Sequence, residues 1–390
     1  MRSIGFVHGA CVSRGDRASS IGRCAGRRAG RRSSPQAWCG SAAVAACVLG
    51  PAGQALAQQD LLVADRAARA VFRFDAQSGA FLDVFIGPDA AAGMDPVDVQ
   101  VGPDGHVYVA NFNPGTIHRF DGQSGAFLGT FFDYDNMEEA VALLFSEDGR
   151  EGYILGNDTQ NLVVFDAASG RVLRDIRTPP MRFAHDMAFD DQGFLHVVTE
   201  NRTVGLVQVW SLDPDQVVRT YAPPPQGLLI AVAIQPADAA GNPGDAFISD
   251  FTNDAILRFD GQSGEFIEQV VQDDRLDWTT SLHFLSSSRL LASTRQGLHV
   301  IDVDARQIVE TLIPTGTYGG LNLSDPRGLV IRGQPCVVDL DGDGALTAFD
   351  FLAFQNLFDA GDPLADLDGD GLLTLLDFLA FQNLFDAGCE

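Results

Sequence analysis

HVYVANFNPGTIHRFDGQSGAFLGTFF, residues 106–132, is the stretch whose reading decides the fold. It holds three short runs that alternate apolar and polar residues: 106–112, 116–120 and 126–132. Turns rich in Asn, Pro, Gly, Asp and Ser separate them. Alternation with period two, cut by such turns, predicts strands joined by hairpins. The turn FDGQSG (120–125) returns intact at 259–264. Related forms stand at Phe74-Asp75, Phe165-Asp166, Trp210 with Asp213, and Ile301-Asp302. The spacing is about 45 residues, so repeat architecture is the first possibility to weigh.

A further apolar run precedes each unit: PVDVQV (96–101), VALLF (141–145), HDMAF (185–189), IAVAI (230–234), SLHFL (281–285) and RGLVI (327–331). Four strands per unit and six units predict an all-β, six-bladed β-propeller over residues 58–334. The phase carries information. The chain enters at the second strand of a unit (Leu61–Ala64) and leaves at a first strand (Gly328–Ile331). The last strand should complete the first blade and close the ring, which removes free edges. The pattern xVYVANxxxxxIxRFDxxSG resembles the NHL-repeat and related six-bladed propellers, including calcium-dependent lactonases. Such a fold hosts hydrolases, lyases and pure binding proteins, so it does not name a reaction.

A second repeat ends the chain. Residues 339–350 read DLDGDGALTAFD and 366–377 read DLDGDGLLTLLD, each followed by FLAFQNLFDAG. An EF-hand loop needs oxygen ligands at positions 1, 3, 5, 7, 9 and 12, with Gly at 6. Loop one supplies Asp339, Asp341, Asp343, the Ala345 carbonyl, Thr347 and Asp350. Loop two supplies Asp366, Asp368, Asp370, the Leu372 carbonyl, Thr374 and Asp377. Carboxylates crowded into one turn repel each other unless a cation lies among them, so two Ca²⁺ ions are expected. Position 12 is Asp rather than the usual Glu, and Pro335 disfavours a helix before loop one. Each unit is therefore a loop plus one following helix.

This duplicated half-hand resembles the dockerin type I module over residues 336–390, behind the propeller. The resemblance implies a small α-helical unit (335–390) with pseudo-twofold symmetry. It also implies docking onto a protein partner, a cohesin-like domain, in an assembly outside the cell. Loop positions 10 and 11, which read the partner in dockerins, are here Ala348-Phe349 and Leu375-Leu376. The helices carry Phe351, Leu352, Phe354, Leu357 and Phe358, repeated as Phe378, Leu379, Phe381, Leu384 and Phe385. A module this small cannot hide ten large apolar groups, so part of this set is expected at a docking surface. The ends of a dockerin-like fold meet, which would let Cys336 and Cys389 form a disulfide. The alternative is two buried thiols.

Residues 1–57 read as an export segment. They carry eight Arg and one acid (Asp16), an apolar run from Ala42 to Gly50, and Ala55-Leu56-Ala57 before Gln58, which fits a signal-peptidase site. Val44-Ala45-Ala46-Cys47 offers a lipid-anchor alternative. The whole chain carries 26 basic and 52 acidic residues, a net −26. Removing that segment takes away +8 − 1 = +7 and leaves −33. Nucleic acid and anionic membranes would be repelled. No apolar run is long enough to span a bilayer. A secreted, extracellular protein is expected, with periplasm or cell surface as alternatives.

Chemistry is less legible. Asp65, Asn111, Asn157, Glu200 and Asp250 end most second strands. As an acidic ring they would hold a metal or substrate; as local acceptors they would cap the turns that follow. Residues that break the repeat are better functional candidates: Thr294, Arg295, and His185, Asp186 and Asp98 at the entry to inner strands. A catalytic reading takes His185 as general base with Asp186 or Asp98 holding its tautomer. The chain contains no GxSxG, no HExxH and no phosphate-cradling glycine loop. Two expectations stand. One is a non-catalytic binding or assembly protein whose propeller meets an unknown ligand. The other is a lactonase-like or carbohydrate-active hydrolase carried into a polysaccharide-degrading complex by its tail.

Overall fold

A computed structural model describes residues 59–177, 181–200, 205–221, 227–237, 244–333, 338, 340, 348–361, 365, 367 and 372–387. Residues 59–333 form six four-stranded antiparallel sheets. In the second blade the strands are Pro96–Val101, Val107–Asn111, Ile117–Phe120 and Phe127–Phe132, paired in that order. The other inner strands are Ala140–Phe145, Asp186–Phe189, Leu229–Ile234, Ser281–Ser286 and Pro326–Gly333. Each inner strand packs on the next, and the last returns to the first, so the ring closes.

Closure comes from the two ends of the propeller chain, as the phase of the repeat predicts. Pro326–Gly333 pairs antiparallel with Gln59–Asp65, in register from Gln59–Gly333 to Val63–Leu329. Arg332 is buried in this seam. It donates to Asp60 at 3.1 Å and to the Gly122 carbonyl of the second blade. Burial lowers the Arg332 pKa, and the Asp60 carboxylate opposes that shift.

Six hydrophobic clusters lie one between each pair of neighbouring blades. Between the sixth and first blades, Leu291, Leu298 and Val300 meet Leu61, Phe72 and Phe74. The stability of the ring therefore rests on contacts between blades.

The FDxxSG marker has a double structural reason. Its Asp oxygen accepts from the backbone N–H and hydroxyl of the Ser three residues on, as in Asp121–Ser124 at 2.8 and 2.6 Å. Its Gly takes a left-handed backbone, φ +68° at Gly125, and touches the adjacent blade. A Cβ there would overlap the Phe85 carbonyl. Outer strands share a second device that the repeat did not announce. In every blade the register slips just after the strand begins, and the bulged-out residues are Leu82, Leu128, Leu173, Val218, Ile267 and Val309. All six are exposed. A bulge breaks the hydrogen-bonding edge and discourages edge-to-edge pairing.

An unforeseen hairpin, Gly316–Tyr318 with Leu321–Leu323, interrupts the path to the closing strand. Tyr318 sits edge-on to Phe74 at 5.2 Å, which extends the seam between the sixth and first blades.

Beyond the propeller, the structure shows two helices, α1 (Ala348–Ala360) and α2 (Leu375–Ala387). Phe354 and Phe381 stack at 4.6 Å and, with Val338 and Ala365, form a small core of their own. The helices occupy equivalent places in the duplicated sequence. Residues 1–57, Cys336 and Cys389 lie outside the described residues.

Candidate functional site

The inner strands line the central channel, and the register allows their positions to be compared blade by blade. Asp98 corresponds to Ala142, Asp186, Ala231, Ser281 and Gly328. Around the ring, polar and small residues alternate. The two carboxylates act as staples between inner strands. Asp98 accepts from its neighbour Val99 N–H at 2.8 Å and from Leu143 N–H of the third blade at 2.8 Å. Asp186 accepts from Met187 N–H at 2.9 Å and from Val232 N–H of the fifth blade at 3.0 Å. Gly328 leaves room for Asp98, because a Cβ there would overlap it. Burial pushes the Asp98 carboxyl up to about 7, against the pull of its backbone donors. Burial also raises Asp186, helped by the nearby Asp98 charge.

At one end these residues line a cavity of about 370 Å³ with Gln100, Ser281 and His283. At the other, where the inner strands start, lies a second cavity of about 250 Å³. It is reached by His185, Thr280 and Arg327 from inner strands or their approaches, by Trp278, and by Arg66 and Phe112 from second-strand turns. An adjoining cavity of about 240 Å³ adds Glu200 and Phe251.

The structure thus places His185, Asp186 and Asp98 around one channel but does not join them. Both aspartates turn to the backbone of the next blade. The acid beside His185 is Glu200, with His185 Nε2 and a Glu200 oxygen 3.7 Å apart. Among the polar ends of second strands, Asp65 and Asp250 accept from the turns that follow, while the others reach elsewhere. Asp65 accepts from Ala68, Ser324 and Asp325 N–H groups. Asp250 caps Thr252 and Asn253. Asn111 accepts from Asp95 N–H, and Asn157 donates to the Ala184 carbonyl at 2.8 Å.

Sequence reasoning passed over Trp278, Arg327 and Arg66. Trp278 follows a single 3-10 turn (Asp274–Leu276) and holds φ +56°, a left-handed conformation rare for a bulky residue. Arg327 directly precedes Gly328 of the closing inner strand. One of only three tryptophans, set in a Asp-Trp-Thr-Thr loop before an inner strand, was the available signal.

In the tail, the described ligand positions are Asp350, Leu372, Thr374 and Asp377; Asp339, Asp341, Asp343, Ala345, Thr347, Asp366, Asp368 and Asp370 lie outside the described residues. Asp350 and Asp377, at position 12 of each loop, are fully buried. Each folds back to its loop start: Leu340 N–H donates to Asp350 at 2.9 Å, and Leu367 N–H donates to Asp377 at 2.9 Å. Two buried carboxylates in matching positions, each drawn to the start of an acidic loop, fit the oxygen-only donor set of Ca²⁺. The helices also expose Leu352, Leu375, Leu376 and Leu379, with Leu375 at 74%, and Leu372 is exposed just before α2. Phe351, Phe378 and Phe385 line a groove of about 660 Å³ beside them.

No protein-family model matches the chain, and no curated protein matches it. Among solved structures, it is similar to a chain of a nidogen/laminin complex, at 14% identity and TM-score 0.53, covering 70% of this chain and 98% of that one. It is also similar to a protein of unknown function from Bacteroides caccae, at 13% identity and TM-score 0.52, with the same coverage. Likeness at this identity concerns the fold, and the fold is a six-bladed β-propeller.

Proposed function

We propose that this is a secreted, calcium-binding protein with a binding rather than a catalytic role. Its propeller serves as a rigid interaction platform. Its dockerin-like tail binds two Ca²⁺ ions and docks onto a protein partner outside the cell, a cohesin-like domain being the natural kind. The observation that supports this most is the symmetry of the tail. Asp350 and Asp377 are buried alike and bonded alike, at the closing position of two acidic loops. A bound ion would neutralise each loop's aspartates and let its helix settle. The exposed leucines would then meet the partner. In the propeller, both channel carboxylates are engaged by backbone N–H groups of the ring.

Calorimetric titration of the chain from Gln58 with Ca²⁺ tests this. Two sites are expected, with Asp350→Ala removing one and Asp377→Ala the other. A chain that takes up no calcium at millimolar concentration would refute the reading.

A further inference from the structure

The channel mouth runs against the charge of its own molecule. The chain has twice as many acids as bases, 52 against 26. Yet, among the described residues, the two adjoining cavities at the mouth are lined by Arg66, Arg327, His185 and a single acid, Glu200. The acids that pair with the two arginines do not line them. Asp95 grips Arg66 at 2.7 Å, and Asp325 holds Arg327 at 2.9 Å. Both guanidinium groups are thus fixed in place by acids that do not line the cavities. Arg295 adds a further cation, 3.9 Å over the Trp278 ring, and has no acidic partner among the described residues.

Unpaired polar atoms converge on the same space. The Trp278 indole N–H is buried without a hydrogen-bond partner among the described residues, and His185 Nε2 makes no hydrogen bond there either, with the Glu200 carboxylate 3.7 Å away. Buried polar groups are nearly always hydrogen-bonded, so each such exception needs an explanation. Two at one cavity, beside two immobilised arginines, have a common one: a ligand that accepts hydrogen bonds. The remaining walls are apolar, from Val97, Val141 and Ile230.

We propose that this mouth binds a small carboxylate with an apolar body. The carboxylate meets Arg327, Arg66 and the Trp278 N–H, and the body rests on Val97, Val141 and Ile230. Charge-assisted bonds from arginine suit a carboxylate's geometry. A neutral sugar would need more acceptors than the walls offer, and an amine would face two arginines against the one acid, Glu200. The same chemistry describes a free organic acid or the C-terminal residue of a peptide. The inference does not depend on calcium in the tail.

The test uses the whole chain from Gln58. Benzoate, 4-methylpentanoate, benzamide and N-acetylglycyl-leucine are titrated by calorimetry and by tryptophan emission. Saturable heat with an acid but not with benzamide is expected. Arg327→Gln should weaken it about tenfold or more. Trp278→Phe should remove the emission change, because the other propeller tryptophan, Trp210, is fully buried. Should Arg327→Gln not fold, Arg66→Gln takes its place with the same expected weakening. Stronger binding of the free acids than of the dipeptide assigns the site to a metabolite, and the reverse order to a chain terminus. Silence of all three carboxylates at roughly 10 mM, equal binding of benzamide, or affinity unchanged in a folded Arg327→Gln protein would overturn the proposal.

Discussion

Asp98 and Asp186 illustrate how much a single residue's surroundings decide. In the sequence they are polar interruptions at the start of apolar strands and invite a catalytic reading. In the structure each carboxylate ties one inner strand to the next. The sequence showed that the positions were special but could not show what they face, because the partner N–H groups lie about 45 residues away. Burial lifts Asp98 to about 7 and moves Asp186 in the same direction. The folded chain then holds these protons more tightly than the unfolded chain does. The associated stability is complete at low pH and is lost as pH rises through about 7. Burial lowers the pKa of His118, His283 and His299, so their effect lies at or below the ordinary histidine range. Between roughly pH 6.5 and 8.5 the carboxylates should dominate. The propeller's Tm should fall across that window, and fall less steeply in Asp98→Asn; parallel slopes would contradict the assignment. Gly328→Ala, which sets a methyl against Asp98, should cost about 1–3 kcal/mol in chemical denaturation, and a neutral effect would contradict the packing.

At the scale of elements, strands and turns were far more legible than the devices that shape them. The FDxxSG marker was readable because one tripod of demands recurs: an acceptor for the turn, a serine donor, and a glycine that must be left-handed and close to the next blade. The six outer bulges were not readable, since inserting one residue changes the register without changing the alternation enough to notice. The closing strand was readable from phase alone, but its buried ion pair was not, because Asp60 and Arg332 sit at opposite ends of the propeller sequence. Removing one partner of a buried pair costs about 3–5 kcal/mol. Asp60→Asn should therefore lower the propeller's Tm by roughly 10 °C; a drop within the spread of surface substitutions would show that strand pairing alone seals the ring. In the tail, Phe354 and Phe381 stack at the centre of a set of ring contacts that join α1 to α2. Phe354→Ala, a change that typically costs about 3–5 kcal/mol in a core, should abolish most of the helical circular dichroism; an unchanged helical signal would contradict a shared core.

At the scale of the molecule, two repeats of different period organise the chain. The longer one builds a ring in which each blade finds its core against its neighbours. The shorter one builds a helix pair with a separate core. The architecture of the ring was legible because the period, the strand count per unit and the entry phase all agreed. The channel mouth was not, since Arg66 and Arg327 come from the two ends of the propeller sequence, His185 from the fourth blade and Trp278 from the connection between the fifth and sixth, and they share no motif. On the proposed reading these two regions also differ in what they answer to: apolar packing for the propeller, and an ion for the tail. They carry separate reporters. Both tryptophans of the chain beyond residue 57, Trp210 and Trp278, are in the propeller, and among the described residues both α-helices are in the tail. Adding EDTA to the calcium-loaded protein while following tryptophan emission and ellipticity at 222 nm therefore reads the two independently. The account predicts loss of the helical signal with emission unchanged, restored by calcium. Ellipticity indifferent to EDTA, or emission that collapses along with it, would contradict the claim that an ion orders the tail alone.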